Sequence, residues 1–110
     1  MTEEGPEIYI FDGDDEYAIH ESVSKVVNRL GEATIAEMNT VRLDGRSVTL
    51  AQLKDASASV PFLAAKRIVI LTNLPPYQKD KKAQEEFLAF LSSPKPTSKL
   101  LLVEYEFLTR

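Results

Sequence analysis

The densest chemistry in the chain is Asp12-Gly13-Asp14-Asp15-Glu16-Tyr17, four acids in one turn behind a short apolar run. Carboxylates so placed can ligate a divalent cation, or cap and charge the start of a helix. They suit a phosphate badly. A phosphate cradle needs several glycines, so that backbone N–H groups close on the anion, and a lysine for the outer phosphates. This turn has a single glycine and no lysine. At the matching place after the third apolar run, a nucleotide hydrolase needs an acid for magnesium; Thr72-Asn73 stands there instead. With both halves of that chemistry missing, a catalytic role is not expected. A degenerate nucleotide-binding domain is one alternative. A receiver-like signalling module is another, with Asp14 and Asp15 as its metal pair, but no acid follows Leu71 before Asp80 to accept a phosphoryl group.

The other reactive residues point to no chemistry. The lone histidine, His20, stands one position past an apolar helical stripe and reads as a surface or boundary residue. Tyr17 and Tyr77 read as packing residues rather than stacking platforms. Cysteine is absent and no cluster has metal-ligand spacing, so neither a disulfide nor a cofactor is expected. The run Lys79-Asp80-Lys81-Lys82 opens a helix against its dipole. It reads as a solvated face, with an acidic or phosphate partner as the alternative.

The remaining unusual feature is Val60-Pro61-Phe62-Leu63-Ala64-Ala65-Lys66-Arg67. A connection between elements has no need of a Phe-Leu pair. Either the pair tucks under the sheet or it is presented to a partner.

The flanking elements follow from periodicity. Ile8-Tyr9-Ile10-Phe11 predicts a first strand, apolar on both faces and hence central. Ile19, Val23, Val26, Val27 and Leu30 form one stripe of a helix from Glu16 to Leu30, stopped by Gly31. Met38 to Leu43 alternates as a weaker, edge-type strand. Asp44-Gly45 turns the chain. Ser47 or Thr49 then caps a short helix with Leu50, Leu53 and Ala56 or Ser57 inward, ended before Pro61. Ile68-Val69-Ile70-Leu71 and Lys99 to Val103 predict buried strands, with a helix from Lys79 to Leu91 between them. Alternating strands and helices predict an α/β fold: a three-layer parallel sheet with helices on both faces.

At 110 residues, 44% hydrophobic and 27% charged, the chain suits one soluble domain, residues 1–110. The net charge of −4 argues against a general binder of nucleic acid or acidic membranes. The acidic start has no signal-peptide core and no run is long enough to span a membrane, so a cytoplasmic protein is expected. The apolar ending Tyr105-Glu106-Phe107-Leu108 reads as a break within a longer protein.

The ordered set of Ile8-Tyr9-Ile10-Phe11-Asp12-Gly13-Asp14-Asp15-Glu16-Tyr17-Ala18-Ile19, Val41-Arg42-Leu43-Asp44-Gly45 and Ser59 through Leu71 resembles the N-terminal part of the delta subunit of the bacterial DNA polymerase III clamp loader. Asn73 and the lysine run fit the segment that follows. The resemblance implies an AAA+/P-loop NTPase-like first domain whose nucleotide site has decayed. It implies a non-catalytic subunit of the DNA polymerase III holoenzyme in DNA replication, one that binds the ring-shaped sliding clamp (beta subunit) and helps open it. Other clamp-loader subunits would bind through regions absent here, DNA indirectly through the assembly, and no membrane is involved. The family's clamp contact is an adjacent pair of large apolar residues before the third strand. That pair is Phe62 and Leu63 here, with Val60 flanking; some members read Leu-Phe, and the inverted order keeps the apolar area. Lys66 and Arg67 would meet acids on the clamp rim.

Overall fold

Ile68-Val69-Ile70-Leu71 and Leu100-Leu101-Leu102-Val103 leave no polar face, so each needs cover on two sides. In the computed structural model, which describes residues 7–73 and 80–105, they form the two central strands. Strands β1 (Ile8–Gly13), β2 (Thr40–Asp44), β3 (Arg67–Thr72) and β4 (Ser98–Tyr105) alternate with helices α1 (Glu16–Asn28), α2 (Ala33–Met38), α3 (Leu50–Ala58) and α4 (Lys81–Ser92). The sheet is parallel throughout, in the order β1-β4-β3-β2. On one face Ile68, Ile70, Leu101 and Val103 pack against Ile19, Val26 and Val27 of α1 and Ala36 of α2. On the other, Val69, Leu71, Leu100 and Leu102 meet Leu53 of α3 and Phe90 of α4. The three expected layers are therefore present.

The caps explain the helix starts. Asp15 Oδ1 accepts from the Ala18 N–H at 2.9 Å. Thr49 and Gln52 satisfy each other's backbone N–H groups in a capping box. Asp80 Oδ1 accepts from the N–H groups of Lys82 and Ala83, which sets a carboxylate among the lysines that open α4. At the far end of α4, Lys95 is buried and its Nζ donates to the carbonyls of Phe90, Leu91 and Ser93. Burial pushes its pKa below the ordinary lysine value, opposed by nearby Glu7.

Four expectations need correction. β1 is not central: among the described residues it pairs with β4 alone, because β4 enters between β1 and β3. Tyr9, Phe11 and Ile8 pack against the two cores, but Ile10 is 70% exposed. The second strand begins at Thr40, since Met38 ends the unforeseen helix α2. α1 stops at Asn28, with Arg29 as its cap and Gly31, at φ 123°, two residues beyond. Tyr17 is exposed rather than packed. Tyr77, Lys79 and the ending beyond Tyr105 lie outside the described residues. Among the described residues no helix is long and apolar enough to cross a membrane.

Candidate partner-docking site

Residues 59–66 connect α3 to β3 and carry the Phe-Leu pair. Pro61 forces Val60 out of the helical region, and Ser59 is already extended, at ψ 147°. The chain therefore leaves helical geometry sharply at the end of α3. Val60 is 78% exposed, Phe62 50% and Leu63 73%. Neither member of the pair belongs to a buried core cluster. These side chains do not tuck under the sheet; they face outward.

Two devices hold them there. The first is Asn39, at the end of α2 and completely buried. Its Nδ2 donates to the Phe62 carbonyl at 2.7 Å, and its Oδ1 accepts from the Phe62 N–H at 2.7 Å. Nδ2 also donates to the Ile35 carbonyl at 2.8 Å, while the Asn39 main-chain carbonyl accepts from Ile68 N–H at 2.8 Å. One side chain thus grips both polar groups of Phe62 as a neighbouring strand would, and ties loop, α2 and β3 together. The second device is Leu63, whose φ of 59° lies in the left-handed region. That conformation costs a leucine about 1–2 kcal/mol. It reverses the chain just after the Asn39 lock, and the strain is held by the anchors on either side. The loop is fastened again where Lys66 Nζ donates to the Pro96 carbonyl at 2.8 Å and Arg67 N–H to the Thr97 carbonyl at 2.8 Å.

Leu63→Gly follows as a test of this strain. Relief of the left-handed penalty outweighs the entropy that glycine adds to the unfolded chain. Urea unfolding should show a gain of about 0.5 kcal/mol. A loss above ~1 kcal/mol would mean that the leucine packs inward.

The basic pair divides. β3 sends Ile68 and Ile70 to the α1 face, so alternation sends Arg67 to the α3 face, where its Nε is buried. Lys66 stays with the loop.

The carboxyl ends of the strands are built differently. Asp15 is spent on capping α1. The Asp44 carboxylate accepts from Arg46 Nε at 3.2 Å, Arg46 NH2 at 2.9 Å and Arg46 N–H at 2.9 Å, and from Asn73 Nδ2 at 3.3 Å. Hydrogen bonds from Arg46 hold its carboxyl far below the usual carboxylate range. Asn73, itself left-handed at φ 67°, links the ends of β2 and β3. His20 is exposed and stacks on Tyr105 with ring centroids 6.2 Å apart. These groups close turns and cap helices.

Sequence reading missed Asn39. It falls where the alternation of a strand was expected, and its bonds reach 23 residues along the chain.

A family model described as DNA polymerase III, delta subunit, matches residues 9–110. The solved structure of the Bacillus subtilis DNA clamp loader delta protein (YqeN) superposes with a TM-score of 0.73 at 24% identity. The match covers 94% of this chain and 32% of that one, so this chain spans about a third of its length. No curated protein sequence matches.

Proposed function

The chain belongs to the DNA polymerase III delta-subunit family, and we propose that it is the non-catalytic, clamp-binding first domain of a longer delta subunit. In this reading Phe62 and Leu63 insert into an apolar socket on the sliding clamp, Val60 covers the edge, and the domain helps to hold the clamp open for loading onto DNA in the cytoplasm. The observation that carries it is the outward Val60, Phe62 and Leu63 cluster, buttressed by a buried asparagine and a strained leucine. A loop with no partner gains nothing from such an arrangement, because strain and exposed apolar area both cost stability.

The architecture is read as an AAA+/P-loop-like domain that has lost its nucleotide site. The acidic Asp12 to Glu16 turn and the Asn73–Asp44 link support that reading. The energy for loading then comes from other loader subunits, engaged through regions outside these residues, and DNA is met indirectly.

The test is co-elution of the chain with its cognate clamp, with and without Mg-ATP. A complex that forms equally well in both conditions is expected. A complex that requires Mg-ATP, or tight Mg²⁺-dependent ATP binding by the chain alone, would restore a working nucleotide site and overturn the proposal.

A further inference from the structure

The connection from α4 to β4 carries a buried cation. Lys95 is 3% exposed, and a charge so placed is tolerated only when its donors are met. All three are met: Nζ donates to the carbonyls of Phe90 at 2.7 Å, Leu91 at 3.2 Å and Ser93 at 2.7 Å. It also stands 4.6 Å from the Phe90 ring centroid. The ammonium therefore closes the last turn of α4, where carbonyls lack helical partners and the dipole is negative. On the main-chain side, Lys95 N–H donates to Glu7 Oε1 at 3.2 Å. One residue is thus fastened to α4 and to the entry of β1. A glycine cap would end the helix without burying a charge. The lysine supplies instead a set of directional, charge-assisted bonds that fix the connection in place.

The two residues after Lys95 reach both ends of the Phe-Leu loop. At its exit, the Pro96 carbonyl accepts from Lys66 Nζ and the Thr97 carbonyl from Arg67 N–H, each at 2.8 Å. Before its start, the Ser57 carbonyl in α3 accepts from Thr97 Oγ1 at 3.2 Å. Apolar packing cannot supply this hold. A cleft of about 590 Å³ opens between α3 and α4 here, lined by Lys54, Ser57, Ala58, Ala89, Pro94 and Pro96 among others. Resting on the clamp-binding reading, we propose that Lys95 is a positioning residue for clamp docking. It fixes the connection, and Pro96 and Thr97 carry that fix to the two ends of the loop. Asn39 holds the middle. The orientation of Phe62 and Leu63 then depends on an ammonium in a different element, which touches neither of them.

The experiment measures clamp affinity, corrected to full folding, and amide exchange at Arg67. The proteins are wild type, Lys95→Met, Thr97→Val, the two combined, and Phe62→Ala/Leu63→Ala. Methionine keeps the apolar stem and removes the ammonium. Lys95→Met is expected to raise Kd about fivefold, as for a loop that holds its docking shape about a fifth of the time. Arg67 exchange should quicken by a similar factor beyond any change in the α1 amides, which a purely global loss of stability would not produce. Because Thr97 lies on the proposed route, the double variant should bind no more weakly than the weaker single variant. Unchanged affinity in folded Lys95→Met, while the alanine pair loses binding, would overturn the positioning role alone. Effects of the two single variants that simply add would overturn the route through Thr97. Where Lys95→Met fails to fold, Thr97→Val takes its place with the same two readouts, and unchanged affinity there overturns the proposal. Full binding by the alanine pair would remove the clamp reading beneath it, and this role with it.

Discussion

Asn39→Ala is expected to lower the stability of the fold by about 2–3 kcal/mol and, on the proposed clamp-binding reading, to weaken clamp binding about tenfold in the protein that remains folded. Asn39 is fully buried, and its side chain makes three hydrogen bonds of 2.7 to 2.8 Å. Alanine leaves the Phe62 N–H and carbonyl without partners, and each such orphan costs about 1–3 kcal/mol where water cannot reach it. Water reaches part of this loop, which keeps the total near the lower end. Asn39→Asp is a sharper probe. It keeps the acceptor for Phe62 N–H but turns a carboxylate onto the Phe62 and Ile35 carbonyls in a buried place. It should destabilise at least as much as alanine. Urea unfolding reads the stability, and amide exchange at Phe62 reads the lock. The affinity loss arises because a loop ordered for a fraction of the time binds with that fraction of its intrinsic strength. If stability falls and affinity at full folding does not, Asn39 supports the fold without presenting the pair.

The sheet was legible in the sequence, and the Asn39 lock on the Phe62 loop was not. Uninterrupted apolar runs at Ile68 to Leu71 and Leu100 to Val103 demand two covered faces whatever their neighbours are. The stripe from Ile19 to Leu30 marked the α1 layer, and Thr49 announced its own helix. β1 misled because an apolar run does not state whether a strand is flanked; the order β1-β4-β3-β2 leaves Ile10 at an edge. Helix α2 escaped because it has six residues, and its cap is the glutamate Glu32 rather than a Ser, Thr, Asp or Asn signal. Missing α2 hid Asn39, whose role depends on its place as the residue that ends that helix. Leu63's left-handed backbone had no local sign either, since leucine is not a residue that seeks φ above zero. The apolar pair itself stood out because two large side chains in a connection are unexplained by packing, but their outward direction is a tertiary fact.

The second large effect is the loss of the pair. Fully burying a Leu or Phe side chain is worth about 1.5–3 kcal/mol. Phe62 is 50% exposed and Leu63 73%, so part of that area is already covered. Scaling by exposure leaves roughly 2–3.5 kcal/mol for the interface, or about a 100-fold change in Kd. That is the size of a hot-spot anchor. The cost to the fold is small, because neither side chain lies in a core cluster and alanine keeps both backbone bonds of Phe62 to Asn39. Stability should shift by less than ~1 kcal/mol.

The decisive measurement is calorimetric titration of the cognate sliding clamp with wild type and with Phe62→Ala/Leu63→Ala, beside a urea melt of each. Near-equal stability and a Kd raised about 100-fold are the results foreseen for an outward apolar anchor. Equal affinities for the two folded proteins would contradict it, and the clamp would then be gripped elsewhere.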